Sequence, residues 1–304
     1  MTDPLSEVMK RVQLEACVYF EREFHAPFAI AMGGKAFAQF HAVTGGSCVL
    51  EYRGETREVR TGEVLLFPRG AAHVLTDTPG RPPVSGEALM KSLADPEPLF
   101  STGQRPARII CGHFAYSSEV AHPLFDGLPD FVHLRSARGR QQSSLFVLLD
   151  QIILELADAE PGFQLIVDRH AEALLVRIIR EHYRDNGADS GFLRALADAR
   201  LAKAVSHIHS DYAASLDLPS LARSAGMSRS ALSKAFKETV AVSPIEYLST
   251  WRIIVGRDLL LRTRLSLPEV AERVGYGSEV SFSRAFKRRL GVSPAVYRRS
   301  GSSA

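Results

Sequence analysis

The 304 residues carry 37 lysines and arginines against 34 aspartates and glutamates, a formal charge of +3, and are long enough for two buried cores. Three widely spaced cysteines, Cys17, Cys48 and Cys111, exclude a disulfide framework and fit a reducing, cytoplasmic setting. No basic stretch followed by an apolar one opens the chain, and the most apolar run, residues 145–156, is broken by Asp150, so neither a secretory signal nor a membrane span is expected.

The chain begins with helical spacing at Leu5, Val8, Met9 and Val12. From about Val18 to Leu75 the pattern becomes that of strands. Phe37, Gln39, His41 and Val43 alternate with Ala38, Phe40 and Ala42, hairpin turns are marked by Gly45-Gly46 and Arg53-Gly54, and Val64–Phe67 reads as a buried strand. This region contains Gly62, five residues, Pro68-Arg69-Gly70, two residues and His73. It thereby resembles the second motif of the cupin family, with Asp77 where that family has an asparagine. The first cupin motif is largely absent, with only His41 on the corresponding strand. The resemblance spans about residues 18–120 and implies a small antiparallel jelly-roll barrel with an internal pocket.

Residues 79–106 are rich in proline and lack periodicity, which suits either a pocket lid or a passive, disordered loop. Arg108–Phe114 resumes as a strand with Cys111 and His113 on one face. Two apolar stripes follow, Leu145–Leu156 and Phe163–Ile179, joined by Pro161-Gly162. They predict a helical hairpin that covers the barrel, serves self-association, or does both. His41, His73, Cys111 and His113 fall on strands of one barrel. A cysteine with three histidines is acceptable tetrahedral zinc ligation, so a zinc site stands as one expectation and ordinary inward-facing polar residues as the other.

The polar stretch 185–191 coincides with a change in charge. From Phe192 onward there are 18 basic residues against 9 acidic, a net of +9, whereas the preceding residues carry a net of −6. The domains read as 1–140 (barrel), 141–184 (hairpin), a linker at 185–191 and 192–304, the last facing a polyanion.

That last domain repeats itself. Leu218-Pro219-x-x-Ala222-x-x-x-Gly226 returns at Leu267–Gly275, Ser233-x-Ala235-Phe236-Lys237 at Ser283–Lys287, and Val242-Ser243-Pro244-x-x-Tyr247 at Val292–Tyr297. The offset grows from 49 to 50, so one residue is inserted after Gly275, before the next helix. Each copy has a capped helix, a turn with glycine and a second helix. Leu232, Ala235 and Phe236, or Phe282, Ala285, Phe286 and Leu290, face inward. The outward residues are Arg229, Ser230, Ser233, Lys234 and Lys237 in the first copy and Glu279, Val280, Ser281, Arg284, Lys287 and Arg288 in the second. This is the pattern of two helix-turn-helix units. A helix over 245–263, with Tyr247, Leu248, Trp251, Ile254 and Leu259 inward, is expected to hold them one DNA turn apart, ~34 Å.

Residues 198–299 closely resemble the DNA-binding domain of AraC/XylS-type transcriptional regulators, most strongly through Phe282-Ser-Arg-Ala-Phe-Lys-Arg-Arg-Leu-Gly-Val-Ser-Pro294. The resemblance implies double-stranded DNA as partner, read through the major groove. Ser230, Ser233, Lys234, Val280, Ser281 and Arg284 would contact bases, and Arg229, Lys237, Lys287 and Arg288 the backbone. It also implies a small-molecule effector in the barrel, a homodimer, and RNA polymerase as a further candidate partner. The expected fold class is α+β and multidomain, a cupin-like barrel with a helical hairpin followed by an all-α domain. A metal-dependent cupin enzyme fused to a DNA-binding domain, and an architectural DNA binder with an inert barrel, are the competing readings.

Overall fold

The computed structural model describes residues 3–11, 14–34, 37–116, 122–135, 144–185 and 191–301. The chain opens with α1 (Pro4–Arg11), then forms β1 (Glu15–Ala26), β2 (Ala29–Met32), β3 (Ala38–Gly45), β4 (Ser47–Tyr52), β5 (Glu55–Arg60), β6 (Val64–Phe67) and β7 (His73–Thr76). After β8 (Val84–Ser85) come α2 (Gly86–Ser92), β9 (Gln104–Ala115), α3 (Pro123–Asp126), β10 (Val132–Leu134), α4 (Ser144–Asp158) and α5 (Phe163–Asp185). The remainder is helical: α6 (Phe192–Ala197), α7 (Ala199–Asp211), α8 (Leu218–Ala225), α9 (Arg229–Val240), α10 (Pro244–Arg262), α11 (Leu267–Arg273), α12 (Glu279–Leu290) and α13 (Pro294–Gly301).

Two units emerge, and they do not follow the boundaries expected from composition. The strand-rich unit takes Glu15–Ala115 and Leu128–Asn186, so the α4–α5 hairpin groups with the barrel. The helical unit takes Met1–Leu14, Tyr116–Gly127 and Gly187–Ala304. Two pieces of the expected barrel domain, α1 and α3, therefore group with the C-terminal helices. Their partners explain why: Arg11 pairs with Asp258 on α10 at 3.1 Å, and His122, just before α3, bonds Tyr247 on α10.

In the strand-rich unit the strands form two five-stranded sheets, ordered β1-β9-β3-β6-β10 and β5-β4-β7-β2-β8. The recorded pairs are antiparallel except β2 with β8. The core includes Phe24, Phe28, Val43, Leu50, Leu65, Phe67, Leu75, Ile109 and Cys111. Strand β3 is buried on both faces over residues 38–43. This is why its sequence is mostly apolar and only His41 and Gln39 break the run. Phe40, fully buried on the opposite face of the strand from His41, stacks on Phe114 at 4.8 Å, while His41 pairs in register with Leu65 and Cys111. The proline-rich stretch 79–106 is ordered: Ser85 caps α2 by accepting from Ala88 N–H, and Leu89 is fully buried. A disordered loop therefore does not describe it, and Pro79 and Gly80 at its start line the groove beside His73.

The helical unit is held by serine and aspartate caps that the repeat already contains. Asp217 and Ser266 each form a capping box, with Ser220 and Glu269 respectively, and prolines 219 and 268 sit in the first turn. The repeated Ser-Pro is itself a cap: Ser243 accepts from Glu246 N–H and Ser293 from Val296 N–H. Helix α10 buries Tyr247, Leu248, Trp251 and Ile254 as expected, but Leu260 rather than Leu259 is fully inward. At Gly256 the ring of Phe282 on α12 lies 2.8 Å from where a Cβ would stand, so glycine sets how closely these helices cross.

Candidate functional site

The helical unit presents the two predicted reading helices as α9 and α12. Both helix-turn-helix turns close the same way: Met227 N–H donates to Ala222 O, and Tyr276 N–H to Ala271 O, each at 2.9 Å. The following caps are also equivalent, Ser228 accepting from Ala231 N–H and Ser278 from Ser281 N–H, both at 3.2 Å. Between them the second copy has one more residue, Gly277, which is exposed and has no neighbour where a Cβ would stand. The insertion read from the changing offset lies there.

With 3.6 residues per turn, positions i, i+4 and i+7 form a stripe opposite the buried pair of each helix. On α9 the buried pair is Leu232 and Phe236, continued by Val240 in the last turn, and the stripe is Ser230, Lys234 and Lys237. On α12 the buried pair is Phe282 and Phe286, and the stripe is Val280, Arg284 and Lys287. All six stripe residues are exposed, as are Arg229, Ser281 and Arg288. Ser233 is half-buried, as is its repeat Ser283. The exposed counterpart of Ser281 is Ala231, a position that the offset of 50 identifies but that carries no polar group to attract notice. The copies also differ in local charge. Lys234 lies 4.0 Å from Glu238, whereas the corresponding residue beside Arg284 is Arg288.

Beneath this surface, on the inner side of α10, is a buried polar chain. Leu124 N–H donates to His122 Nδ1 at 3.1 Å, which leaves the ring proton on Nε2 to donate to Tyr247 Oη at 3.1 Å. Tyr247 then donates to His209 Nε2 at 2.7 Å, and His209 stacks on Trp251 at 3.8 Å. Burial pushes both histidines down to about 3. These residues carry no mark in sequence beyond being histidines and aromatics on apolar faces.

The barrel brings together three of its four predicted site residues. Cys111 Sγ is 3.1 Å from His41 Nδ1, His41 Nε2 is 2.9 Å from His73 Nε2, and His73 Nδ1 is 2.8 Å from Ala71 O. The carbonyl can only accept, so His73 carries its proton on Nδ1 and accepts at Nε2. His41 must then donate from Nε2 and accept at Nδ1, where the Cys111 thiol donates. Burial supports this neutral arrangement: His41 is held well below the usual histidine range, His73 is lowered to about 4, and the Cys111 thiol is pushed up. In this hydrogen-bonded arrangement the four residues of the zinc expectation do not converge on one point. Cys111 and His73 lie at opposite nitrogens of His41, so one ion cannot take His41 together with both. Among the described residues no three His, Cys, Asp or Glu are placed to hold a metal ion. His113 stacks against Tyr19 at 5.1 Å and meets the tilted ring of Phe37 at 4.4 Å. Asp77, at the cupin asparagine position, accepts from Phe28 N–H at 2.7 Å and fastens β7 to β2.

His73 also lines an open groove of about 510 Å³ with Met32, Glu51, Tyr52, Arg53 and Val74. No helix among the described residues is long and apolar enough to cross a membrane.

Residues 3–184 match the cupin family, and residues 221–300 match a helix-turn-helix domain family. The chain is similar to a protein of Streptomyces lividans named as an AraC-like transcription regulator, 32% identical over 302 residues and 98% of each chain. It is similar as well to the HTH-type transcriptional regulator MtrA of Neisseria gonorrhoeae, 33% identical over 269 residues and 86% of each chain. Among solved structures, the DNA-binding domain of AdpA in complex with a target DNA is 30% identical, covering 35% of this chain and 95% of that one with a TM-score of 0.33.

Proposed function

The chain belongs to the AraC-type DNA-binding transcriptional regulators that carry an N-terminal cupin domain, and on that premise we propose which of its residues read the DNA and where its control resides. The reading surface is the pair of outward stripes, supplemented by their exposed neighbours and the half-buried Ser233. Ser230, Ser233, Lys234, Val280, Ser281 and Arg284 face base edges, while Arg229, Lys237, Lys287 and Arg288 hold phosphates. The observation that carries this is the repetition itself: two equally capped helices, each with an exposed stripe opposite its buried pair. Phosphate contacts position the protein, whereas Arg284 can pair with both acceptors of one guanine.

Control lies in the strand-rich unit. The groove beside His73 is the site for a small-molecule effector, since it is open to solvent and ends on the buried Cys111–His41–His73 relay. The helical hairpin serves homodimerisation, supported by Val147, Leu154, Leu165 and Ile166, which remain exposed on α4 and α5. The enzyme reading finds less support, because the relay is neutral and satisfied by its own hydrogen bonds and the relatives are named as regulators.

The test is a binding titration on an operator selected by the full-length protein from a randomised pool. Arg284→Ala is expected to relax the base preference by about 1–3 kcal/mol at one position. Lys287→Ala is expected to weaken all sequences alike and flatten the salt dependence by roughly one phosphate contact. Unchanged binding by both variants refutes the assignment of α12.

A further inference from the structure

Val280 is 63% exposed, although it is a branched apolar side chain on the polar stripe of α12, between Glu279 and Ser281 and one turn before Arg284. The fold does not require it there. Serine occupies the equivalent place on α9, where Ser230 Oγ lies 3.2 Å from the capping Ser228 Oγ, and the helix forms with an equivalent serine cap and with Leu232 and Phe236 buried at the places of Phe282 and Phe286. Valine and serine have comparable helix propensities, so local stability does not select valine either. What distinguishes the position is its direction. It shares a stripe with Arg284 and Lys287, and it lies in the first turn, the part of a recognition helix that reaches base edges. In the major groove the apolar feature of a base edge is the C5-methyl group of thymine.

We propose that Val280 reads a thymine methyl in the half-site bound by α12, an inference that rests on the assignment of α12 as a reading helix. The four-residue step from Val280 to Arg284 covers about 6 Å along the axis. The thymine therefore lies within about two base pairs of the guanine paired with Arg284, at ~3.4 Å per step. The two half-sites are read by different chemistry. The first uses hydroxyl and ammonium groups at Ser230 and Lys234, and the second an apolar contact followed by a guanidinium.

The experiment replaces each thymine of the selected operator, one at a time, by uracil, which removes the methyl and keeps the pairing. Affinities are measured for the full-length wild type, Val280→Ala, Val280→Ser and Arg284→Ala. In the half-site whose guanine depends on Arg284, one uracil is expected to weaken the wild type about fourfold, the worth of one buried methyl-sized group. Val280→Ala and Val280→Ser are expected to bind thymine and uracil equally there and to keep the wild-type melting temperature. The inference is overturned if both variants retain the wild-type sensitivity to uracil, or if no thymine in that half-site is methyl-sensitive. If Arg284→Ala leaves every affinity unchanged as well, the assignment of α12 fails and this inference fails with it.

Discussion

Replacing His122 by phenylalanine tests whether a side chain encoded between two barrel strands belongs to the helical unit. The ring shape is kept, so packing against Phe192 and Trp251 survives while two hydrogen bonds vanish. Tyr247 Oη loses its buried donor, about 1 kcal/mol, and Leu124 N–H loses its capping acceptor, about 1 kcal/mol more. The variant should therefore be destabilised by ~2 kcal/mol near neutral pH. The gap should close in acid. Burial lowers His122 from 6.5 to about 3, with the neighbouring His209 adding to the effect, so the unfolded chain takes up this proton first as pH falls. Its contribution is complete above about 6.5 and is lost progressively down to about 3. Between about pH 7.5 and 5 the wild type should lose ~2 kcal/mol through this group, at ~1.4 kcal/mol per pH unit, and the variant should lose none. His209 titrates in both proteins and cancels. Trp251 is the single tryptophan and lies in the helical unit, so its fluorescence against urea follows that unit alone. A stability gap that stays the same at both pH values would show that His122 is not buried neutral against Tyr247.

Two further outcomes follow from packing and from the barrel relay. Gly256→Ala should cost about 1–3 kcal/mol in the same fluorescence assay, because its Cβ would stand 2.8 Å from the ring of Phe282, which is fully buried. Dialysis against a chelator should leave the far-ultraviolet circular dichroism melt of the wild type unchanged, since the nitrogens of His41 face two different partners; a chelator-dependent drop refutes that account.

The parts legible in the sequence were those whose physics is local. Caps, prolines in first turns, the glycine after each first helix and the buried aromatic pair act within a few residues, so Ser266, Glu269, Gly275 and Phe282 could be assigned from spacing alone. The place of the inserted Gly277 followed from arithmetic on the repeat. What escaped is pairing across long separations. Arg11 meets Asp258 across 247 residues and His122 meets Tyr247 across 125, and no periodicity encodes either. The barrel site was half legible. Strand alternation put Cys111 and His113 on one face, and the motif put His41 and His73 in the same barrel, but which nitrogen faces which partner depends on the carbonyl of Ala71, which no spacing encodes.

The placement of α1 and α3 changes how the two units are joined. The expected boundary is a single linker at 185–191, whereas the chain passes between the units at 14–15, 115–116, 127–128 and 186–187. The first two crossings are neighbours, because Glu15 pairs with Ala115 where β1 and β9 run antiparallel. Strand β9 also carries Cys111, the donor at one end of the barrel relay. The segment bearing His122 begins at the end of that strand, and α1, whose Arg11 carbonyl accepts from the buried Arg257, precedes the strand paired with it. Both α1, through Arg11, and the residue before α3, His122, thus meet α10, the helix between the two helix-turn-helix units.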